Sequence, residues 1–257
     1  MTDDRLAPLT EALLHSARKA GADAADALAV SGAAISVDVR AGKLEQAERA
    51  EGIEIGLRVL VGQRQACVSA SDISERTIGE MAERAVAMAR EAPEDATIGL
   101  ADPADLISGW EPADYDLADP APEPEAAALV ADARQAEAAA LAVKGVAQCQ
   151  AASASYSRRM IHLAATNGFS GGYTRTSRAT SAVAVAGEGL GMERDWAAES
   201  RVYQDDLPGA ESIGALAGQR AVERLGARKP KTGAYPVLFD ERVAAGLHGH
   251  LLGAGNG

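Results

Sequence analysis

The chain has 257 residues, with 25 Lys+Arg against 37 Asp+Glu and a formal net charge of −12. Hydrophobic residues make up 47% and aromatics only 4%, a globular rather than disordered balance whose small side chains predict closely packed helices. The acidic balance argues against nucleic acid as a direct partner, because that binding rests on Lys and Arg neutralising phosphates, and no run approaches the ~18 apolar residues of a membrane span.

Residues 1–4 carry neither a basic nor an apolar leader pattern. Leu6, Leu9, Leu13, Leu14 and Ala17 recur at helical spacing, and Gly21 supplies a stop. From Ala24 to Ala70 the period becomes two. Ile35, Val37 and Val39 alternate with polar residues, Ala41-Gly42-Lys43 makes a turn, Ile53 to Val61 continue the alternation, and Gly62-Gln63-Arg64 turns into a third strand. This reads as an antiparallel meander. Ile78, Met81, Ala82, Ala85 and Met88 give a second helix, capped by Ser74 or Asp72.

After Glu91 the sequence becomes acidic and proline-bearing, a long irregular connection in which Trp110 and Tyr115 are expected to act as packing anchors. Glu125 to Val143 is a third helix, rich in Ala and Leu. Val146 opens new strands, with Asn167-Gly168 a hairpin turn and Gly187–Gly191 joining two further strands. A fourth helix runs from about Ala210 to Leu225. Tyr235 to Phe239 reads as a short strand, and Asp240 caps a last helix. The helix–sheet–helix pattern occurs twice, which raises the prospect of two related halves. The fold class is α+β, antiparallel β-sheets with packed helices: residues 1–228 form one α+β region and residues 229–257 begin a second, mostly missing domain. A strand and helix stranded at a terminus bury no core, so a longer protein is expected.

Few groups have the spacing that chemistry needs. Cys67 and Cys149 are too few and too separated for a disulfide framework or a paired-Cys metal site, which suits a reduced compartment. Gly168-Phe169-Ser170-Gly171-Gly172 matches G-x-S-x-G, but a nucleophile elbow requires a helix directly after the serine, and Tyr173 to Arg178 continue as strand. A glycine-rich hairpin loop is the better reading. His248 and His250 are two apart, about 200° round a helix, where metal pairs stand three or four apart, and Arg242 to Leu247, just before them, hold no carboxylate to activate a metal-bound water. His15 and His162 read as ordinary surface or half-buried residues. Arg158-Arg159, Arg175 and Arg178 could meet carboxylates or simply face solvent, and adjacent Asp205-Asp206 point apart. The Gly187–Gly191 loop opens no helix and is no dinucleotide fingerprint.

The segment from Arg224 to Asp240, RLGARKPKTGAYPVLFD, continued by Arg242 to Leu252, resembles the junction sequence of the TldD/PmbA family. The turn Ala165-Thr166-Asn167-Gly168-Phe169 and the strand Gly52-Ile53-Glu54-Ile55-Gly56-Leu57-Arg58-Val59 are similar as well. The resemblance implies a cytoplasmic metallopeptidase complex of two related subunits, also known as modulators of DNA gyrase, which processes peptides such as microcin precursors and degrades unfolded antitoxins. The TldD-type subunit carries His-Glu-x-x-x-His on the helix after the junction. Here His250 falls on the second histidine, the single metal-ligand candidate, while Ala245 and Gly246 replace the first histidine and the glutamate.

The resemblance therefore implies a PmbA/TldE-type subunit with no catalytic residue and no cofactor of its own. Its expected partners are a zinc-bearing TldD-type catalytic subunit, in a hetero-oligomer with a homodimer as the other arrangement, and an unfolded peptide substrate. The alternative is a non-proteolytic interaction protein that modulates gyrase or toxin systems. A third reading, metal-dependent hydrolysis by this chain alone, would need His248, His250 and further ligands.

Overall fold

The computed structural model describes residues 5–109 and 111–255, so the expectation for Trp110 lies outside the described residues. Contacts divide the chain into two units, Met1–Leu225 and Gly226–Gly257. The first holds one six-stranded, wholly antiparallel sheet in the order β3-β2-β1-β4-β5-β6. Its elements are α1 (Leu6–Ala20), β1 (Ala24–Arg40), β2 (Lys43–Val61), β3 (Arg64–Ala70), α2 (Glu75–Glu91), α3 (Ala126–Ala142), β4 (Val146–Ala165), β5 (Ser170–Ala186), β6 (Glu193–Arg201) and α4 (Ala210–Glu223). Helix, three strands, helix is thus built twice. The two halves meet where β1 pairs with β4, from Asp26↔Ala165 to Val39↔Ala152.

Local chemistry explains the element ends. Gly21 closes α1 at φ 97°, a left-handed conformation that glycine adopts without steric cost. Ser74 caps α2 by accepting from Thr77 N–H, and Asp72 accepts from Ser74 N–H in turn. The β1–β2 turn places Ala41 and Gly42 both at positive φ, the two-residue geometry that matches strand twist.

Period two sorts each strand onto two faces. Ala25, Ala27, Ala29, Ile35, Val37 and Val39 of β1 are all buried, so α1 to α4 all cover the same face of the sheet. Under α1 and α2 the core is built from larger side chains, among them Leu6, Leu13, Ile55, Leu57, Ile78 and Met81. Where α3 and α4 lie together on β4 to β6 it is nearly all alanine, while the first turns of α3 pack Leu129 against Val37, Val39 and Tyr156. The first helix of each half also reaches across to the other half. Glu137 of α3 accepts the N–H groups of Ala41 and Gly42 at 2.6 and 2.7 Å, and Thr10 of α1 meets His162 of β4 at 2.9 Å.

The connection between the halves, where Tyr115 is 53% exposed, is tied down by Asp119, whose N–H donates to Thr176 Oγ1 and whose carboxylate accepts from Ala121 and Gln204 N–H. Burial acts to raise the Asp119 pKa, but these backbone donors outweigh it and hold the carboxyl below its ordinary value.

In the second unit, α5 (Glu241–Gly255) begins as read: Asp240 accepts the Arg242 N–H. The strand expected over Tyr235 to Phe239 is not formed. Pro236 offers no N–H, Leu238 is 98% exposed, and no partner strand pairs with the segment among the described residues.

Candidate functional site

The sequence-singled residues scatter. His248 and His250 lie on α5, both exposed. Among the described residues no three of His, Cys, Asp or Glu gather as a metal set. Ala245 and Gly246, one turn before His250 on α5, carry no ligating side-chain atom. Arg178 is absorbed by structure, bonding Asp132 of α3 at 2.6 Å and Gln204 at 2.9 Å. Arg175 is exposed, Asp205 and Asp206 sit in a single 3-10 turn, and Gly189–Gly191 forms another between β5 and β6. Cys67 is exposed and Cys149 buried, both free.

The most open chemistry lies along one sheet edge. β3 pairs only with Ile55–Val61 of β2, so the stretch from Lys43 to Glu54 has no outer partner strand among the described residues. The tight β2–β3 turn aims Val61 N–H at β3, and alternation then sends the N–H and C=O of Ala47, Arg49, Glu51 and Ile53 outward. Unpaired strand groups of this kind template an added strand.

Clefts flank this edge at the middle of the sheet, where Gly32 and Gly52 stand opposite each other. On the face opposite α1 to α4 a cleft of about 390 Å³ is lined by Arg159, Glu54 and Val30. On the helix face one of about 450 Å³ is lined by Arg158, Glu51, Glu123 and Met160. Gly32 is required here: a Cβ would stand 2.6 Å from the Arg158 carbonyl oxygen. Arg158 and Arg159, opposite Ala33 and Gly32 in register, thus face the two clefts separately. Glu51 and Glu123 are both engaged by Arg49. The arrangement can pair a backbone and offer charge on either side of it.

A second cluster joins α1, β4 and β5. Thr10 donates its only hydroxyl proton to Ala7 O at 2.9 Å, so toward His162 Nδ1, also 2.9 Å away, it can only accept. Nδ1 therefore carries the imidazole proton and Nε2 is bare, 3.4 Å from Ser170 Oγ. Burial pushes the His162 pKa down, which favours the neutral ring. Sequence reasoning missed this contact by seeking a histidine after the serine. The usable signal was Asn167-Gly168: a hairpin turn there makes residues before and after it neighbours on one face.

Two family models match the chain: PmbA/TldA metallopeptidase domain 1 over residues 25–89, and the PmbA/TldA metallopeptidase central domain over residues 119–225. The chain is 32% identical over 220 residues to the metalloprotease PmbA of Escherichia coli O157:H7, covering 86% of this chain and 48% of that protein. It is 30% identical over 252 residues to a metalloprotease PmbA homolog of Haemophilus influenzae, covering 94% of this chain and 53% of that protein. It thus spans about half the length of the curated relatives it matches. A crystal structure named as a candidate modulator of DNA gyrase, from Bacteroides thetaiotaomicron, superposes with TM-score 0.86 at 23% identity, covering 99% of this chain and 58% of that one. TldE from Thermococcus kodakarensis gives TM-score 0.66 at 17% identity, covering 83% and 47%. These two structures share the fold.

Proposed function

We propose, on the premise that the chain belongs to the PmbA/TldD metallopeptidase family, that it is the PmbA/TldE-type half of a two-subunit peptidase. In this reading it presents unfolded peptides to a zinc-bearing TldD-type partner in the cytoplasm, in peptide maturation and the removal of unfolded proteins. One observation carries the assignment. On the family's His-Glu-x-x-x-His pattern this chain has Ala245, Gly246 and His250, and a single imidazole neither holds a metal nor activates a water. Hydrolysis then belongs to the partner.

The chain's own contribution is to hold the substrate. An extended peptide laid along β2 between Ala47 and Ile53 would complete outward N–H and C=O groups with its backbone, a mode that ignores sequence and suits loose specificity. Its side chains would alternate between the Arg158 and Arg159 clefts.

The test is reconstitution. Elemental mass spectrometry of this chain purified alone should find no stoichiometric zinc, and peptide cleavage should require the TldD-type partner. Ala47→Pro removes one outward donor and leaves the β1–β2 ladder intact, so it should raise KM for an unfolded peptide several-fold. Near-stoichiometric zinc in this chain alone would sink the accessory assignment, and an unchanged KM would sink the edge.

A further inference from the structure

We infer that Ser170 is an activated nucleophile, with His162 as its base and Thr10 as a positioning residue, able to take acyl groups from small activated esters. This goes beyond the peptidase reading and does not depend on it. The geometry is a proton chain running one way: Ser170 Oγ–H toward His162 Nε2, His162 Nδ1–H to Thr10 Oγ1, and Thr10 Oγ1–H to Ala7 O. These are the parts a nucleophile needs, a base at Oγ and a third group that fixes the base's tautomer. The 3.4 Å gap is the loose spacing such pairs show before substrate tightens them.

The strands set up this contact. His162 faces Gly172 in register and Ala164 faces Ser170, so His162 and Ser170 are diagonal neighbours on the helix face, beside α1. Gly172 allows the approach: a Cβ there would stand 2.6 Å from Ile161 O and 3.1 Å from His162 Cδ2. Thr176 N–H leaves β5 outward to Leu117 O, and alternation sends the N–H groups of Ser170 and Gly172 to the same edge. β6 pairs only from Arg178 onward, so the Ser170 N–H, beside its own Oγ, has no partner strand among the described residues and is the one backbone donor placed near a developing oxyanion.

In the reaction, Oγ attacks the ester carbonyl while its proton passes to Nε2. The C–O bond to the leaving alcohol breaks, and the alcohol takes that proton. Water, deprotonated by the same nitrogen, then releases the acid and restores the serine. Ser170 is exposed, so small activated esters reach its Oγ without having to enter a cleft.

The experiment treats the 257-residue chain with p-nitrophenyl acetate and, separately, a fluorophosphonate, and maps the adduct by mass spectrometry. One adduct on Ser170 is expected. It should disappear in Ser170→Ala and slow about a hundredfold or more in His162→Gln, the scale of a lost general base. Thr10→Val should slow it about tenfold, and Thr10→Ser should restore it, which a purely structural role for the hydroxyl would not require. Because Ser170 is exposed, Ser170→Ala keeps the fold and decides the matter should His162→Gln unfold. No adduct, acetylation of lysines alone, or a Ser170→Ala rate equal to wild type would overturn the inference.

Discussion

The two halves of the main unit share an element order but solve helix packing in opposite ways. Under α1 and α2, bulky Leu, Ile, Val and Met side chains fill the space above β1 and β2. Where α3 meets α4, Ala136, Ala140, Ala184, Ala197, Ala217 and Ala221 replace them, and Gly214 and Gly218 let the helix backbones close together, with bulky packing kept only at the start of α3 around Leu129. A Cβ on Gly214 would lie 2.0 Å from the Ala136 carbonyl oxygen, whereas Gly79 in α2 has nothing within 4 Å. The lesson is that one backbone plan can be stabilised by apolar volume or by close approach. The two solutions fail differently, because a volume core is hurt by removing atoms and a contact core by adding them.

That contrast can be broken by substitution, and urea unfolding would read each case. Leu57→Ala should cost the most, about 3–4 kcal/mol, from lost transfer energy and the cavity left behind; a loss below about 1 kcal/mol would show that the first half is not held by volume. Gly214→Ala should cost about 2–3 kcal/mol by forcing α4 from α3. Glu137→Gln swaps one acceptor for a donor facing the Ala41 and Gly42 N–H pair, for about 2 kcal/mol, and tests whether α3 clamps the opposite half. Gly79→Ala should instead stabilise by about 0.5–1 kcal/mol, since alanine favours helix and meets open space. If the two Gly→Ala changes had the same sign, the comparison would fall.

Acid sharpens the same contrast. Asp119 has a lowered folded pKa, so its contribution is complete above the unfolded carboxylate range near ~4 and is lost as pH falls through the folded value. His162 also has a lowered folded value. The folded state therefore weakens as pH falls below the unfolded histidine pKa near ~6.5, since the unfolded chain takes that proton first. Wild type should lose stability in two stages on acidification. Thr10→Val, which leaves Nδ1 without its acceptor, should alter only the upper one.

Much of this was legible before any coordinates. The helical spacing of Leu6 to Ala17, the alternation of Ile35 to Val39 and the turns at Gly42 and Asn167-Gly168 are local signals, and local signals suffice for hairpins and amphipathic helices. Tyr235 to Phe239 shows the limit, because alternation marks a willingness to pair and pairing needs a second strand. Asp119 shows another: no sequence pattern marks a carboxylate that serves two backbone donors from separate parts of the chain. His162 was set aside since its partners, Thr10 and Ser170, lie on two other elements, and Arg158 and Arg159 were ambiguous until their faces of β4 were known.

The β1–β4 ladder bears on the kinetics of folding. Each half can zip from tight turns between neighbours in the chain, closing small loops at little entropic cost. The joint between them cannot, since it must align Asp26 with Ala165 and Val39 with Ala152 across two helices and a long connection. Contact order is concentrated in that one ladder. Refolding should therefore show the halves acquiring structure early and the central seam forming last, with the clamp of Glu137 on the β1–β2 turn among the final bonds made.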